Sequence, residues 1–179
     1  DEDDQFTFYL SASDPNGDEL VYWLFDYPEN GSVISEGAIV TYTPFADFYG
    51  NDSFSFYVSD GVFNSNIATI SLTINPVNDP PILDFVDDVV FDEDSSGAIS
   101  LSGSDIDGDN LTYICNPVSG NIYCSVTGND ITFYATENYF GTEQVHISIG
   151  DGNGGQDSQN VNVIVLPVND APVLSTIDD

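Results

Sequence analysis

Lysine and arginine are missing altogether. Against 31 Asp and Glu residues the chain sets one histidine, which leaves a net charge of −31. Apart from that histidine nothing can pair a carboxylate in an ordinary salt bridge. The acids must be solvated, hydrogen-bonded at turns, or neutralised by cations. Nucleic acid and anionic lipid are recognised through Lys and Arg, so both are excluded as direct partners unless cations bridge them. Salt-adapted surface acidity accounts for part of the charge, but not for its recurrence at fixed positions.

Long apolar runs are also lacking. None approaches the roughly 18 residues of a membrane span, which argues against direct membrane insertion. Nothing at Asp1 reads as a leader peptide, and the chain is expected to be a piece of a longer protein. Catalytic machinery is equally sparse. No Ser/His/Asp or Cys/His set exists beyond His146, which alternates with Val145 and Ile147 on a strand and is expected at the surface. Among so many carboxylates some pair falls at glycosidase spacing by chance. No enzyme is expected.

Cysteine is limited to Cys115 and Cys124. The stretch between them, Asn116 to Asn121, is rich in turn residues, so the two are expected to face each other across a hairpin as a disulfide. Two buried thiols filling aliphatic positions is the alternative. A bridge would add roughly 2–4 kcal/mol and imply an oxidising compartment.

What is present is a duplication. Pro76-Val77-Asn78-Asp79-Pro80-Pro81 returns as Pro167-Val168-Asn169-Asp170-Ala171-Pro172, an offset of 91 that holds without a gap. Asp1-Glu2-Asp3 matches Asp92-Glu93-Asp94, Asp14 to Leu20 matches Asp105 to Leu111, and Asp60-Gly61 matches Asp151-Gly152. So long a period indicates autonomous domains in tandem, since solenoid repeats run to about 20–50 residues. The copies are placed at residues 1–80 and 81–179, with the joint at about 75–82. Hydrophobic content of 41% and 23 aromatic residues give each copy enough for a small core.

Period-two alternation sets the secondary structure. In copy 1, Phe6, Phe8, Leu10 and Ala12 alternate with mostly polar residues. Further short strands are expected at 20–25, 32–34, 39–43, 53–59 and 68–75, with Tyr27 to Gly31 closing a hairpin. Copy 2 repeats the plan at 98–102, 111–116, 123–126, 131–134, 144–149 and 160–165. No segment keeps a 3.6-residue period with caps. About seven short strands per copy, punctuated by Gly, Asn, Asp and Pro, describe an all-β, antiparallel two-sheet sandwich.

Each repeated acidic feature falls at a strand end, where a fold could gather several. Oxygen-only ligands suit Ca²⁺, which takes about six to eight oxygens, rather than zinc or copper. The run Asp105-Ile106-Asp107-Gly108-Asp109-Asn110 lacks the sixth-position glycine of an EF-hand. Gly152-Asn153-Gly154-Gly155-Gln156-Asp157 occurs once, so it is no stacked nonapeptide roll. As the bland alternative, Asp-Gly pairs and Asp before Pro are ordinary turn formers.

Three segments resemble a known family: Pro167-Val168-Asn169-Asp170-Ala171-Pro172-Val173, Asp105 to Tyr113, and Phe48 to Phe54. Together they are similar to the cadherin-like tandem repeats of bacterial surface proteins and giant adhesins, and the likeness spans nearly the whole chain. It implies two Ig-like/cadherin-like Greek-key sandwiches in an extracellular or cell-surface protein, with neighbouring repeats as its first partners. It also implies Ca²⁺ at the joint, held by Glu2, Asn78, Asp79, Asp105, Asp107 and Asp151. Pro76 and Pro80 stand where cadherin joints carry Asp and Asn, so one or two ions are expected. Asp14, Asn16 and Asp60 would serve a preceding repeat, and Glu93, Asn169 and Asp170 a following one, as weaker sites. The function so implied is a calcium-stiffened adhesin array that meets a cell-surface protein or glycan. The alternative is a carbohydrate-binding sandwich, with Trp23 and Phe25 projecting from the strand face opposite Leu20, Tyr22 and Leu24.

Overall fold

A computed structural model describes residues 1–172 and 174. Among these every regular element is a strand. The chain divides into two compact units, Asp1–Val77 and Asn78–Asp179.

Unit 1 holds β1 (Phe6–Tyr9), β2 (Val21–Asp26), β3 (Gly31–Glu36), β4 (Ile39–Pro44), β5 (Gly50–Ser59) and β6 (Ala68–Ile74). They form two antiparallel sheets, ordered β1-β4-β3 and β2-β5-β6. Leu10, Val40 and Phe54 are buried between them, with Phe8, Tyr22, Leu24, Val33, Phe56, Ile70 and Leu72 packed around. Of the alternating set read from the sequence, Phe8 and Leu10 reach this core. Phe6 is exposed, stacked on Phe8 at 5.5 Å, and Ala12 lies beyond β1 in solvent.

Unit 2 holds β7 (Ile82–Leu83), β8 (Val89–Asp92), β9 (Ser96–Ser100), β10 (Gly103–Ser104), β11 (Thr112–Pro117), β12 (Ile122–Thr127), β13 (Asp130–Ala135), β14 (Gly141–Gly150) and β15 (Gln156–Leu166). The sheets are ordered β12-β13-β9 and β11-β14-β15-β8, with a short β10-β7 pair. Its core is larger, including Ile122, Ile131, Phe133, Val145, Ile147, Val161 and Val163, each fully enclosed. Each such side chain contributes roughly 1.5–3 kcal/mol relative to exposure. The sandwich is antiparallel but for one pair, since β8 runs parallel to β15.

The expected hairpins are not hairpins. β2 pairs with β5 and β3 with β4, so Tyr27 to Asn30 crosses from one sheet to the other. The same holds in unit 2, where β11 pairs with β14 and β12 with β13. Turn residues mark a chain reversal without saying whether the returning strand joins its predecessor's sheet. Cys115 and Cys124 do form a disulfide, with Cα atoms 6.5 Å apart, and it ties the two sheets together.

The duplication extends to the backbone. Residues with left-handed φ recur at the 91-residue spacing, as Asp3 and Asp94 (62° and 65°) and as Asp47 and Asn138 (58° and 55°).

Candidate metal centre

At one end of unit 2, the start of the unit meets two of its loops. Asp151 follows β14 and is 5% exposed. Its Oδ1 accepts the backbone N–H groups of Asn153, Gly154 and Gly155 at 2.7–3.0 Å, which closes a tight loop before β15. Its Oδ2 accepts the Asn78 side-chain N–H at 2.8 Å and a second bond from Gly155. The Asn78 amide, then the loop N–H groups, hold the Asp151 carboxyl below the usual carboxylate range. Gly155 is required here, because a Cβ at that position would strike the Asp151 carboxylate and come within 2.7 Å of the Pro80 Cα.

The turn after β10 supplies the other side. Asp105 Oδ1 accepts the Asp109 N–H at 3.1 Å, and Asp107 Oδ2 accepts the Asp79 N–H at 2.9 Å. Carboxylate oxygens of Asp105, Asp109 and Asp151 lie within 4.8 Å of one another. Asp105 Oδ2 is buried and has no hydrogen-bond partner. Three carboxylates so close, in a chain without Lys or Arg, repel one another unless a cation intervenes. The donors are all oxygen, which fits Ca²⁺ and does not fit zinc.

Asn78, Asp79, Asp105, Asp107 and Asp151 thus meet within unit 2. Asp109 belongs with them and was not singled out from the sequence. Its place at the end of the same acidic turn is visible in the sequence, whereas the Asn153 side chain that donates to its Oδ2 at 2.6 Å is brought there only by the fold. Glu2 lies in unit 1, where it is 2% exposed and its Oε1 accepts the Val77 N–H at 2.6 Å.

The weaker sets divide in the same way. Asp14, Asp18 and Asp60 bring carboxylate oxygens within 4.8 Å in unit 1, whereas Asn16 enters through its backbone, donating to Asp14 Oδ1 at 2.7 Å. Asp60 Oδ1 caps its own turn through the N–H groups of Phe63 and Val62, which hold its carboxyl below the usual range. In unit 2, Glu93 repeats the Glu2 arrangement. It is 4% exposed, its Oε1 accepts the Val168 N–H at 2.7 Å, and its Oε2 is buried without a partner. The Asn169 side chain donates to the Asp170 carbonyl at 3.2 Å, as the Asn78 side chain does to the Asp79 carbonyl at 3.3 Å. His146, half-buried on the outer face of β14, meets Asn160 Oδ1 at 3.0 Å and belongs to none of the acidic clusters among the described residues.

Comparison with known proteins agrees with this architecture. The sequence profile of the bacterial Ig domain family matches residues 1–73 and 78–164. The curated protein GAMETE EXPRESSED 2 of Arabidopsis thaliana is 27% identical over 202 aligned positions, covering 89% of this chain and 22% of that protein. The chain therefore spans under a quarter of that relative's length. Among solved structures, human CDH23 EC21-23 aligns with a TM-score of 0.53 at 12% identity, covering 89% of this chain and 66% of that one. Protocadherin Gamma B2 extracellular cadherin domains 3-6 align at 0.52 and 17% identity, covering 90% and 42%. At such identities the likeness is one of fold: tandem Ig-like, cadherin-like sandwiches, a type common in extracellular adhesion proteins.

Proposed function

Because the chain belongs to the bacterial Ig domain family, matched in both of its units, we propose that it is a calcium-binding tandem repeat of an extracellular adhesin. Ca²⁺ at the joint would stiffen the array. The supporting observation is the convergence of Asp105, Asp109 and Asp151 beside Asn78, Asp79 and Asp107, with Asp105 Oδ2 buried and unpartnered.

Asp105, Asp107, Asp109 and Asp151 would supply carboxylate oxygens, and Asn78 and Asp79 would add side-chain or carbonyl oxygens. Glu2 is the ligand expected from the preceding repeat. The ion would offset the mutual repulsion of these groups, and its loss would restore that repulsion. Extracellular modules of this kind bind calcium with dissociation constants of about 10⁻⁴–10⁻³ M. Neighbouring repeats are the primary partners in this reading, with a cell-surface protein or glycan as the target of the whole protein.

Calcium titration followed by small-angle scattering and thermal melting tests the proposal. Calcium should lengthen the maximum dimension and raise Tm, and chelator should reverse both. No response in either quantity would sink the reading.

A second reading rests on a different face. On the outer side of β2-β5-β6, Trp23 stands opposite Tyr57 and Phe25 meets Tyr57 edge-on at 6.5 Å. A trough of about 780 Å³ on the same sheet is lined by Ser53, Thr69 and Ser71 together with the carboxylates Asp26, Glu29 and Asp52. Exposed aromatic rings beside hydroxyl and carboxylate groups are what sugar binding uses. A glycan array with Trp23→Ala as control separates the readings, since a purely structural rod retains no sugar.

A further inference from the structure

Three Asn-Gly pairs occur in the chain, at Asn16-Gly17, Asn30-Gly31 and Asn153-Gly154. Such a pair is prone to rearrange, because glycine has no Cβ to keep its backbone nitrogen from the preceding side-chain carbonyl.

The fold treats the three differently. Asn30 is half-buried, its N–H donates to Asp52 Oδ2 at 3.0 Å and its carbonyl accepts the Phe45 N–H at 2.8 Å. Gly31 is buried at the start of β3, packed so closely that a Cβ would lie 2.6 Å from the Tyr42 ring. Asn153 is exposed, but its side chain donates to Asp109 Oδ2 at 2.6 Å and the Gly154 N–H donates to Asp151 Oδ1 at 2.9 Å. Asn16 and Gly17 are both exposed in the turn between β1 and β2, and among the described residues no hydrogen bond holds the Asn16 side chain. The Gly17 N–H makes only a 3.2 Å turn bond to the Asp14 carbonyl.

At the 91-residue spacing the counterpart of Asn16 is Asp107. The two turns share their geometry. Gly17 and Gly108 donate to the carbonyls of Asp14 and Asp105 at 3.2 and 3.3 Å, with φ of 82° and 78°. The N–H groups of Asp18 and Asp109 donate to Asp14 Oδ1 and Asp105 Oδ1, both at 3.1 Å. An aspartate at position 16 thus fits a backbone that the molecule already builds around one.

We propose that Asn16 is a self-modification site, whose side-chain amide is converted in the folded protein to a carboxylate that gives unit 1 the acidic turn of unit 2. The Gly17 nitrogen gives up its proton and attacks Asn16 Cγ. The new N–Cγ bond closes a cyclic imide while the Cγ–Nδ2 bond breaks, and Nδ2 leaves as ammonia with that proton. Water then opens the ring. Cleavage of the N–Cγ bond gives aspartate with the chain path intact, and cleavage at the Asn16 backbone carbonyl gives isoaspartate, whose backbone runs through Cβ. One water is consumed and one ammonia released, so neither an enzyme nor an oxidant is required.

Selectivity comes from the glycine N–H, which must leave its acceptor before it reacts. Gly154 must give up a carboxylate, whereas Gly17 gives up a neutral carbonyl at the long end of the hydrogen-bond range. The product adds a carboxylate to the turn that carries Asp14 and Asp18, whose oxygens, with those of Asp60, already lie within 4.8 Å of one another. Ammonia is lost to solvent, so the added charge accumulates with the age of the chain.

The test incubates the full chain folded in mildly alkaline buffer with chelator and, in parallel, unfolded in guanidinium chloride. Chymotryptic peptides are followed by mass spectrometry, with the Asn16→Asp variant as the standard for the aspartate product. Emission of Trp23, the single tryptophan, confirms that unit 1 stays folded. In the folded chain Asn16 should convert at least about ten-fold faster than Asn30 or Asn153, the ratio expected when one hydrogen bond to a charged group must be given up. Unfolded, the three should convert at similar rates. Folded chains in which Asn16 stays intact, or in which Asn30 or Asn153 keeps pace with it, overturn the proposal. So does the same preference for Asn16 in the unfolded chain, since the fold would then select nothing.

Discussion

The Asn78 side-chain amide donates to Asp151 Oδ2 across 2.8 Å, joining residues 73 positions apart in the chain. The amide fastens the first residue of unit 2 to the loop after β14, and its own side-chain oxygen remains available to a cation. Asn78→Ala and Asp151→Asn should therefore each weaken calcium binding by at least ten-fold in isothermal titration. If both variants bind as the parent does, the ion sits elsewhere.

Asp105 separates a metal role from a structural one. Its Oδ1 accepts one turn N–H, whereas its Oδ2 is buried with nothing to accept. Asp105→Asn keeps an oxygen for the turn and removes one charge from a repelling group of three. Without calcium, the variant should melt at the parent temperature or a few degrees above it. With millimolar calcium it should fail to gain the parent's increment. A variant that is destabilised in chelator and still responds fully to calcium would assign Asp105 to the turn alone.

Asp52 predicts a pH dependence confined to unit 1. It is buried in β5, and its two oxygens accept Tyr42 O–H at 2.8 Å and the N–H groups of Ser53, Asn30 and Glu29 at 2.8–3.1 Å. Burial alone would raise its pKa, but these bonds outweigh burial and hold it below the ordinary 3.8. The same contact, with burial the larger cause, pushes the Tyr42 hydroxyl above its usual range. A depressed folded pKa means stabilisation that is full above the unfolded value and lost as pH falls through the folded one. The Trp23-monitored transition should thus fall below about pH 4, and Asp52→Asn should flatten that fall while lowering stability at pH 7. The amide keeps one acceptor oxygen, so some of the part-buried N–H groups of Glu29, Asn30 and Ser53 lose their partner, a cost on the order of 1 kcal/mol. Parallel pH profiles of parent and variant would show that other carboxylates govern acid unfolding.

The strands were legible because alternation and the gapless repeat are local signals, and the same positions recur twice. Sheet membership was not. Tyr27 to Asn30 and Val118 to Asn121 have hairpin composition, but each crosses between sheets, held by a carboxylate: Asp52 accepts the Glu29 and Asn30 N–H groups, and Glu143 accepts the Asn121 side chain at 2.7 Å. Those anchors come from β5 and β14, more than 20 residues on, so a window of turn residues does not contain them. The parallel β8 was hidden for the same reason, since its partner β15 begins 64 residues after it ends. In the metal centre, the repeated acids were visible as a pattern. Asp109 and Gly155 matter through contacts that only the folded loop creates.

The disulfide gives a prediction in which the repeat serves as its own control. Cys115 and Cys124 pack against the unit 2 core, and their counterparts in unit 1, Leu24 and Val33, pack against the unit 1 core. The sheets can therefore be held by apolar burial alone. Closing so short a loop contributes roughly 2–3 kcal/mol by the chain-entropy estimate. Reduction should lower the unit 2 transition by about 10 °C and leave the Trp23-monitored unit 1 transition in place. The double variant Cys115→Leu/Cys124→Val, which copies unit 1, should recover part of that loss, because it restores the buried area without the crosslink. If reduction shifts neither transition, the bridge adds nothing beyond its two side chains. If it shifts both, the units do not unfold independently.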